Sequence, residues 1–325
     1  MQYVKLGNTG LDVSKICLGC MNFGDASGRY TWALDELKSH DIIKRSLELG
    51  INFFDTANIY SYGSSEEYLG SAIKRFANRD EVVIATKLFR PLSMGPNSGG
   101  LSRKSIMIEI DKSLARLNMD YIDLYIVHRF DQETPVEETM EALDRLVKSG
   151  KVRYIGASTM YAWQFYKMLN VSEKYNYTKF VSMQNHYNLI YREEEREMIP
   201  LCISEKIAIT PYSPLAAGRL SRTEGIKTSR SESDNLANEK YEINLKDDKK
   251  IIDRIAELAE RRGISRSQVA LAWLLQQPGI TSPIIGATKI PQLDDNVSAT
   301  DIVLESSEIE YLKEPYVPHN IYGYK

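Results

Sequence analysis

The chain has 325 residues, of which 43% are hydrophobic and 26% charged, and its formal net charge is -3 at pH 7. This much apolar material supports a large core and excludes an intrinsically disordered protein. Lys and Arg form no long block, so nucleic acid and anionic membranes are not expected as partners. We expect a small-molecule ligand. A chain of this length could hold two ordinary domains or one large barrel; the barrel would be a single domain over residues 1–325, and we expect a monomer or weak homo-oligomer.

We expect neither a targeting signal nor a membrane-spanning segment in this sequence. No apolar stretch approaches the roughly 18 residues that a membrane helix needs, and MQYVKLGNTG lacks a signal-peptide core. These features predict a cytoplasmic protein. Cys17 and Cys20 have the spacing of a redox or zinc pair, but no second pair accompanies them. They lie on a predicted strand and three positions apart, so they face opposite sides; we expect reduced, packed thiols and no metal site.

In chain order, a short segment that turns between Gly7 and Gly10 predicts an N-terminal β-hairpin. Short β-rich runs then alternate with longer stretches of helical period. Strands are predicted at residues 15–21, 51–57, 81–87, 121–128, 152–158, 180–186, 207–213 and 282–287. Apolar residues at i, i+3, i+4 and i+7 predict helices such as 36–50, 64–76, 104–118 and 136–150.

This alternation, repeated about eight times, is typical of parallel β-α units. It predicts an α/β protein with a closed (β/α)8 TIM barrel. A doubly wound open sheet is the alternative. Its nucleotide fingerprint G-x-G-x-x-G cannot be written here, since none of the 19 glycines has another two positions away, and no P-loop is present.

Three stretches depart from the regular alternation. Residues 218–245 are polar and poor in core residues, so we expect either a disordered insertion or a loop that folds over a ligand. An amphipathic helix over 245–263 precedes another over 267–277, which adds one helix to this unit. The tail, 306–325, starts as a helix and continues as EPYVPHNIYGYK, which we expect to pack near the barrel mouth.

Several polar side chains follow neighbouring predicted strands. In a β-α barrel the catalytic residues lie at the carboxyl ends of the strands. There the sequence has Asp55, with Tyr60 in the next loop, then Lys87 and His128. Each alone is equally typical of a helix cap, a surface tyrosine, a solvated lysine or a structural histidine. Together they predict one cluster at the barrel mouth.

The four residue types also suit one kind of chemistry. A buried ammonium needs a partner, which Asp55 can supply for Lys87. A charged lysine beside a tyrosine favours the phenolate, so we expect the pKa of Tyr60 to lie below its usual value near 10. Tyr60 would then be a proton donor and acceptor near neutral pH. Carbonyl reduction needs such a donor, because hydride addition leaves negative charge on oxygen, which His128 can also hydrogen-bond.

The motifs D-T-A-x-x-Y at 55–60, A-T-K at 85–87 and Y-I-D-L-Y-x-x-H at 121–128 resemble those of the aldo-keto reductases. These are barrel enzymes that use NADPH without a Rossmann fold. The resemblance runs from KLGNTGLDVSKICLGCMNFG to IIGATKIPQLDDNVSA, nearly the whole chain. It implies that Tyr60 is the general acid and base, that Lys87 and Asp55 tune it, and that His128 orients the substrate carbonyl.

The resemblance also implies a cofactor site. Nicotinamide contacts would come from Gly19, Cys20, Met21, Asp55, Ser158 and Gln184, with Tyr212 stacking on the ring. The pyrophosphate would pass Ser213, Pro214, Leu215 and Gly218, and the adenosine end would meet Gly286, Thr288, Lys289, Gln292, Asp295 and Asn296. Thr159 stands where the family motif G-x-S-N has Asn, and Gln292 where some members have Arg. The cations for the 2′-phosphate are therefore assigned to Lys289, Arg222 and Arg230.

S-P-L-A-A-G-R-L at 213–220 and G-A-T-K-x-x-Q-L-x-x-N at 286–296 are most similar to the aryl-alcohol dehydrogenase and potassium-channel β-subunit branches. This implies NADPH-dependent reduction of aromatic or aliphatic aldehydes and some ketones. Two alternatives stay open: an NADPH-binding redox sensor with slow turnover, and a Schiff-base lyase using Lys87, which an ion pair with Asp55 would oppose. Six residues in the predicted mouth loops either line the substrate pocket or anchor the loops: Phe23, Tyr30, Trp32, Arg129, Phe130 and Trp163.

Overall fold

The computed structural model of the protein describes residues 1–25, 30–223 and 229–323. An antiparallel hairpin of β1 (Tyr3–Lys5) and β2 (Asp12–Ser14) comes first, as predicted. Eight parallel strands follow. They are β3 (Cys17–Gly19), β4 (Phe53–Asp55), β5 (Val83–Leu88), β6 (Ile122–Val127), β7 (Val152–Ser158), β8 (Phe180–Gln184), β9 (Ala208–Ile209) and β10 (Ile284–Ile285).

These strands form a barrel. Strands β3 to β9 pair in sequence order, and β10 pairs in parallel with β3. On its other side β10 meets the chain just after β9, where the Ile284 N–H donates to the Pro211 carbonyl at 2.9 Å and Tyr212 bridges to Ile284. The predicted barrel is confirmed, and the open-sheet alternative is wrong.

Helices surround the strands in the predicted alternation. The four predicted examples are confirmed within two residues at each end: α1 (Glu36–Glu48), α2 (Ser64–Phe76), α3 (Arg103–Leu117) and α4 (Val136–Lys148). The others are α5 (Ala162–Tyr175), α6 (Met198–Ser204), α7 (Ser229–Ser233), α8 (Asn235–Glu242), α9 (Leu245–Arg262), α10 (Arg266–Leu275), α11 (Ile290–Ser298) and α12 (Ser306–Lys313). No helix among residues 1–25, 30–223 and 229–323 has the length and apolarity to cross a membrane.

The apolar residues form two layers, inside the barrel and between strands and helices. Alternation along the strands decides the layer, so Cys17 packs inside the barrel and Cys20 in the outer layer, both buried as free thiols. Leu6 and Val13 of the hairpin region join the inner layer. Gly7, at φ +59°, lies so close to the Val181 carbonyl that a β-carbon would be 2.7 Å away. The hairpin therefore covers the amino-terminal end of the barrel and leaves the carboxyl end open.

The polar segment 218–245 is more ordered than its composition predicts. Residues 224–228 lie outside the described part, but α7 and α8 occupy 229–242, and Tyr241 of α8 is buried. Asp234 caps α8 by accepting from the Ala237 N–H at 3.1 Å. The disordered-insertion alternative is thus wrong for 229–242, and folding over a ligand stays a prediction.

The tail lies over the carboxyl end of the barrel, as predicted for its described part. The Tyr316 hydroxyl and the His319 N–H both donate to Glu193 Oε1, at 2.7 and 2.8 Å. The Tyr322 N–H donates to the Tyr191 hydroxyl at 3.3 Å. Gly323 brings the chain to the methyl group of Thr159, at the end of β7. The tail therefore covers one side of the mouth.

Candidate active site

Asp55, Tyr60 and Lys87 form one hydrogen-bonded group at the open end of the barrel. Asp55 ends β4, and Lys87 lies near the end of the neighbouring β5. The Lys87 ammonium donates to Asp55 Oδ1 at 2.5 Å, to the Thr56 carbonyl at 2.7 Å and to the Tyr60 hydroxyl oxygen at 3.2 Å. An ammonium has three N–H donors, and here each one has an acceptor.

Lys87 is completely buried yet keeps its charge. Burial lowers the pKa of its ammonium, but Asp55 and Tyr60 together outweigh burial, and the net direction is upward. A Schiff-base nucleophile has to be a neutral amine. The environment of Lys87 therefore opposes the lyase alternative.

The pKa of Tyr60 departs from the sequence expectation. Burial of the hydroxyl raises it most and Asp55 adds to the rise, while Lys87 and Arg129 lower it by less. The net direction is upward, so the predicted lowering is wrong in this structure, although the ammonium acts in the predicted sense. Tyr60 keeps its proton at neutral pH. Because Lys87 donates to its oxygen, the hydroxyl hydrogen is left to donate to another acceptor.

His128 directly follows β6 and faces Tyr60. The two ring centroids are 6.1 Å apart and the planes nearly perpendicular, at 85°. The backbone N–H of His128 donates to the Leu88 carbonyl at 3.0 Å, which fixes the His128 backbone beside the end of β5. The four side chains predicted to converge do lie around one mouth, since carboxyl ends of adjacent parallel strands share one edge of the barrel.

The predicted nicotinamide contacts lie along the same edge. Gly19 ends β3, Ser158 ends β7 and Gln184 ends β8. Gln184 also supports the cluster, because its Nε2 donates to Asp55 Oδ2 at 2.8 Å. The Cys20 N–H is already bonded, to the Asp55 carbonyl at 2.8 Å, whereas the neighbouring Met21 is half-buried. The Cys20 backbone thus serves the fold as an internal donor.

Thr159 is under backbone strain. Its φ is +45°, a conformation that asparagine tolerates and that β-branched residues rarely adopt. Its hydroxyl lies 3.1 Å from the hydroxyl of Ser158. An Asn at this position would tolerate the left-handed backbone better than Thr does.

Tyr212, which is predicted to stack on the nicotinamide ring, belongs to an aromatic stack that the sequence does not reveal. His186 lies nearly parallel to Tyr212, with centroids 5.4 Å apart, and Tyr191 stacks on His186 at 4.0 Å. Burial and the nearby Lys240 hold the pKa of His186 well below its usual value, so its ring is neutral. Lys240 of α8 lies 4.9 Å from the Tyr212 ring centre. Only the folded positions of α8 and of the 185–191 loop reveal these contacts.

The segment after Tyr212 is a run of left-handed backbone followed by arginines. Positive φ angles occur at Ser213, Ala216, Ala217 and Gly218, while Pro214 is buried and Leu215 half-buried. Arg219, which sequence reasoning missed, and Arg222 both have a pKa lowered by burial, and repulsion from Arg219 and Arg230 adds to the effect at Arg222. Crowded guanidinium groups of this kind are stabilised by an anion.

Arg230 is less available than the sequence predicts. Its Nε donates to Asp234 Oδ2 at 3.0 Å, and its guanidinium lies 4.5 Å from the centre of the buried Trp32 ring. A carboxylate thus already compensates part of its charge.

The predicted adenosine end surrounds the start of α11. Gly286, Lys289 and Gln292 are exposed there, and Gln292 accepts from the Thr288 N–H and hydroxyl, both at 3.1 Å. Asp295 accepts from the Ser265 hydroxyl at 2.8 Å, and Asn296 is buried. An exposed helix start beside a lysine suits a phosphate. With the arginine cluster and the aromatic platform, the residues present fit an anionic dinucleotide.

The chain is similar to known proteins over nearly its whole length. The pattern of the aldo/keto reductase family matches residues 15–316. Versiconal hemiacetal acetate reductase from Aspergillus parasiticus is 43% identical, covering 99% of this chain and 99% of that protein. An aldo-keto reductase from Metarhizium robertsii is 41% identical over 100% of this chain and 93% of its own length. A protein named as an aryl-alcohol dehydrogenase in Schizosaccharomyces pombe is 41% identical over 99% and 97%.

Proposed function

The chain belongs to the aldo/keto reductase family, and we propose that it reduces aldehydes, aromatic or aliphatic, and some ketones to alcohols with NADPH. One observation carries the proposal: the Lys87 ammonium, held by Asp55, donates to the hydroxyl oxygen of a Tyr60 that keeps its own proton. Tyr60 is therefore a proton donor with a positive charge next to its oxygen, at the open end of the barrel. Carbonyl reduction uses both properties.

Each residue has a distinct task in this proposal. NADPH, when bound, supplies the hydride that adds to the carbonyl carbon. Tyr60 gives its proton to the carbonyl oxygen, and Lys87 stabilises the phenolate that remains. Asp55 keeps Lys87 charged, and Gln184 holds Asp55 in place. His128 hydrogen-bonds the carbonyl oxygen and so directs it towards Tyr60.

We propose that the residues implied by the resemblance bind the cofactor, and that the cationic residues among them contribute unequally. Tyr212 would stack on the nicotinamide, and Ser158 and Gln184 would bind its carboxamide. Arg222 and Lys289 would bind phosphate groups and favour NADPH over NADH. Arg230 would contribute less charge, because Asp234 already pairs with it.

The test is consumption of NADPH with nitrobenzaldehyde, followed by the loss of reduced-nicotinamide absorbance, beside direct NADPH binding. We expect turnover that requires both compounds and is weaker with NADH. Binding without turnover over a panel of aldehydes would instead support the sensor alternative. Absence of NADPH binding would contradict the cofactor assignment.

The raised pKa of Tyr60 predicts opposite pH dependences for the two directions of the reaction. Reduction needs the protonated phenol, so its kcat/KM should stay level through neutral pH and fall only as pH rises beyond about 10, the usual tyrosine value. Alcohol oxidation needs the phenolate and should increase with pH over the same range. A decline of reduction centred near pH 7 would instead indicate control by a histidine, and would contradict this assignment.

A further inference from the structure

Arg129 is a charged residue at the mouth for which the proposed reaction has no use. It directly follows His128, and its Nη1 donates to the His128 carbonyl at 2.6 Å. Its Nε is buried without a hydrogen-bond partner. Within residues 1–25, 30–223 and 229–323, no carboxylate lies within ion-pair distance of its guanidinium.

Three other partly buried arginines of this protein are paired with carboxylates. Arg79 binds Asp123, Arg116 binds Glu66 and Arg192 binds Glu195, at 2.6, 2.6 and 2.8 Å. Pairing is expected, because a charge withdrawn from water is costly unless an opposite charge and hydrogen bonds compensate it. The Arg129 guanidinium is partly buried and lacks that compensation among the described residues. A bound anion would supply it.

The charge of Arg129 acts on the reacting region. It lowers the pKa of Tyr60 and of Tyr212, and it also lowers that of the Lys240 ammonium. These three groups belong to three different elements around the mouth, so the guanidinium lies within electrostatic range of the space between them. An anion attracted by Arg129 would thus lie beside the substrate carbonyl.

An aromatic surface adjoins the guanidinium. Phe130 follows Arg129 directly, and its ring lies 6.1 Å from that of Trp163, which is 60% exposed. Three other candidate mouth residues, Phe23, Tyr30 and Trp32, are buried and act as loop anchors. The accessible part of the predicted mouth therefore combines flat apolar rings with the Arg129 guanidinium.

We propose that Arg129 binds a carboxylate on the substrate, so that the preferred substrates are aromatic carbonyl compounds that carry a carboxylate group. This inference rests on the proposed reductase function. The planar guanidinium presents parallel N–H donors that match a carboxylate. Phe130 and Trp163 hold the ring of the substrate, while His128 and Tyr60 act on its carbonyl.

The test compares carboxybenzaldehydes, with the carboxylate ortho, meta or para, with their methyl esters, which have nearly the same shape and no charge. For at least one isomer we expect the intact protein to favour the acid. In Arg129→Met the ratio of kcat/KM for acid over ester should fall roughly 10- to 100-fold, the effect of a charge-assisted hydrogen bond. Arg129→Lys should retain part of the ratio, and Arg153→Met, an exposed arginine, should leave it unchanged.

The outcomes separate this inference from the function on which it rests. Reduction of esters by the intact protein without preference for any acid, or an equal fall for acid and ester in Arg129→Met, would overturn the role of Arg129 and leave the reductase standing. If the intact protein reduces neither compound, the proposed function fails. Calorimetric measurement of benzoate binding then tests whether Arg129 binds an anion. Loss of benzoate binding in Arg129→Met supports an anion site at Arg129, and unchanged binding overturns that site.

Discussion

Replacing Tyr60 with phenylalanine is expected to lower kcat for aldehyde reduction by about a thousandfold, the middle of the range for loss of a general acid. The substitution removes one oxygen and leaves the ring beside His128. The hydride would then add to a carbonyl whose oxygen receives no proton from the protein. Because no cofactor contact is assigned to the hydroxyl, NADPH binding should change little. Steady-state turnover and NADPH titration of both proteins measure the two effects.

Tyr62→Phe is the matched control. Tyr62 lies two positions further along the same loop, and its side chain is 60% exposed. The same atom is removed there without touching Lys87, so turnover should stay within a factor of two or so, as for most changes at exposed positions. If Tyr60→Phe keeps more than a tenth of the activity, another group must supply the proton, and the role of Tyr60 is wrong.

Replacing Lys87 with methionine is expected to abolish measurable reduction and to lower the free energy of unfolding by about 3–5 kcal/mol. The change leaves the Asp55 carboxylate buried without its counter-charge, and it leaves the phenolate formed at Tyr60 without stabilisation. Urea unfolding and turnover report the two effects. Lys38→Met removes a lysine from an exposed ion pair with Asp35 and should cost at most about 1 kcal/mol.

The double variant Lys87→Met with Asp55→Asn separates the two roles of the lysine. Neutralising Asp55 removes the uncompensated charge, so part of the lost stability should return. Activity should not return, because Tyr60 still lacks the ammonium. A double variant less stable than Lys87→Met alone would show that the pair contributes little electrostatic stabilisation.

The sequence was sufficient for the barrel and for the convergence of the four mouth residues. The strand runs are short, apolar and evenly interleaved with amphipathic stretches, and one rule, that carboxyl ends of parallel strands share an edge, places Asp55, Lys87 and His128 together. Tyr60 also follows from this rule, because it lies only five residues beyond Asp55.

The direction of the pKa shift at Tyr60 could not be derived from sequence. It depends on how deeply the hydroxyl is buried and on the balance between Lys87 and Asp55, which act in opposite senses. The sequence places the ammonium near the hydroxyl but does not show the depth of burial. The bond from Gln184 to Asp55 is a further case, because it joins residues 129 positions apart.

Helices α7 and α8 could not be recognised because they span only 5 and 8 residues. At that length few apolar positions repeat, and stability comes from tertiary contacts such as the burial of Tyr241 and the cap at Asp234. For the same reason the position of Lys240 could not be predicted, because the polar segment around it shows no repeating pattern of apolar residues. Arg129 was visible as a mouth residue, but its lack of a counter-charge is a property of the folded chain alone.

Isotope transfer tests most directly whether hydride passes from NADPH to a carbonyl carbon. NADPH carrying deuterium at the transferred position is mixed with nitrobenzaldehyde and the intact protein, and the product is examined by mass spectrometry and NMR. We expect nitrobenzyl alcohol with deuterium on the former carbonyl carbon, at a rate that falls about a thousandfold in Tyr60→Phe. Bound NADPH with no alcohol, or alcohol without deuterium, would contradict the proposed function.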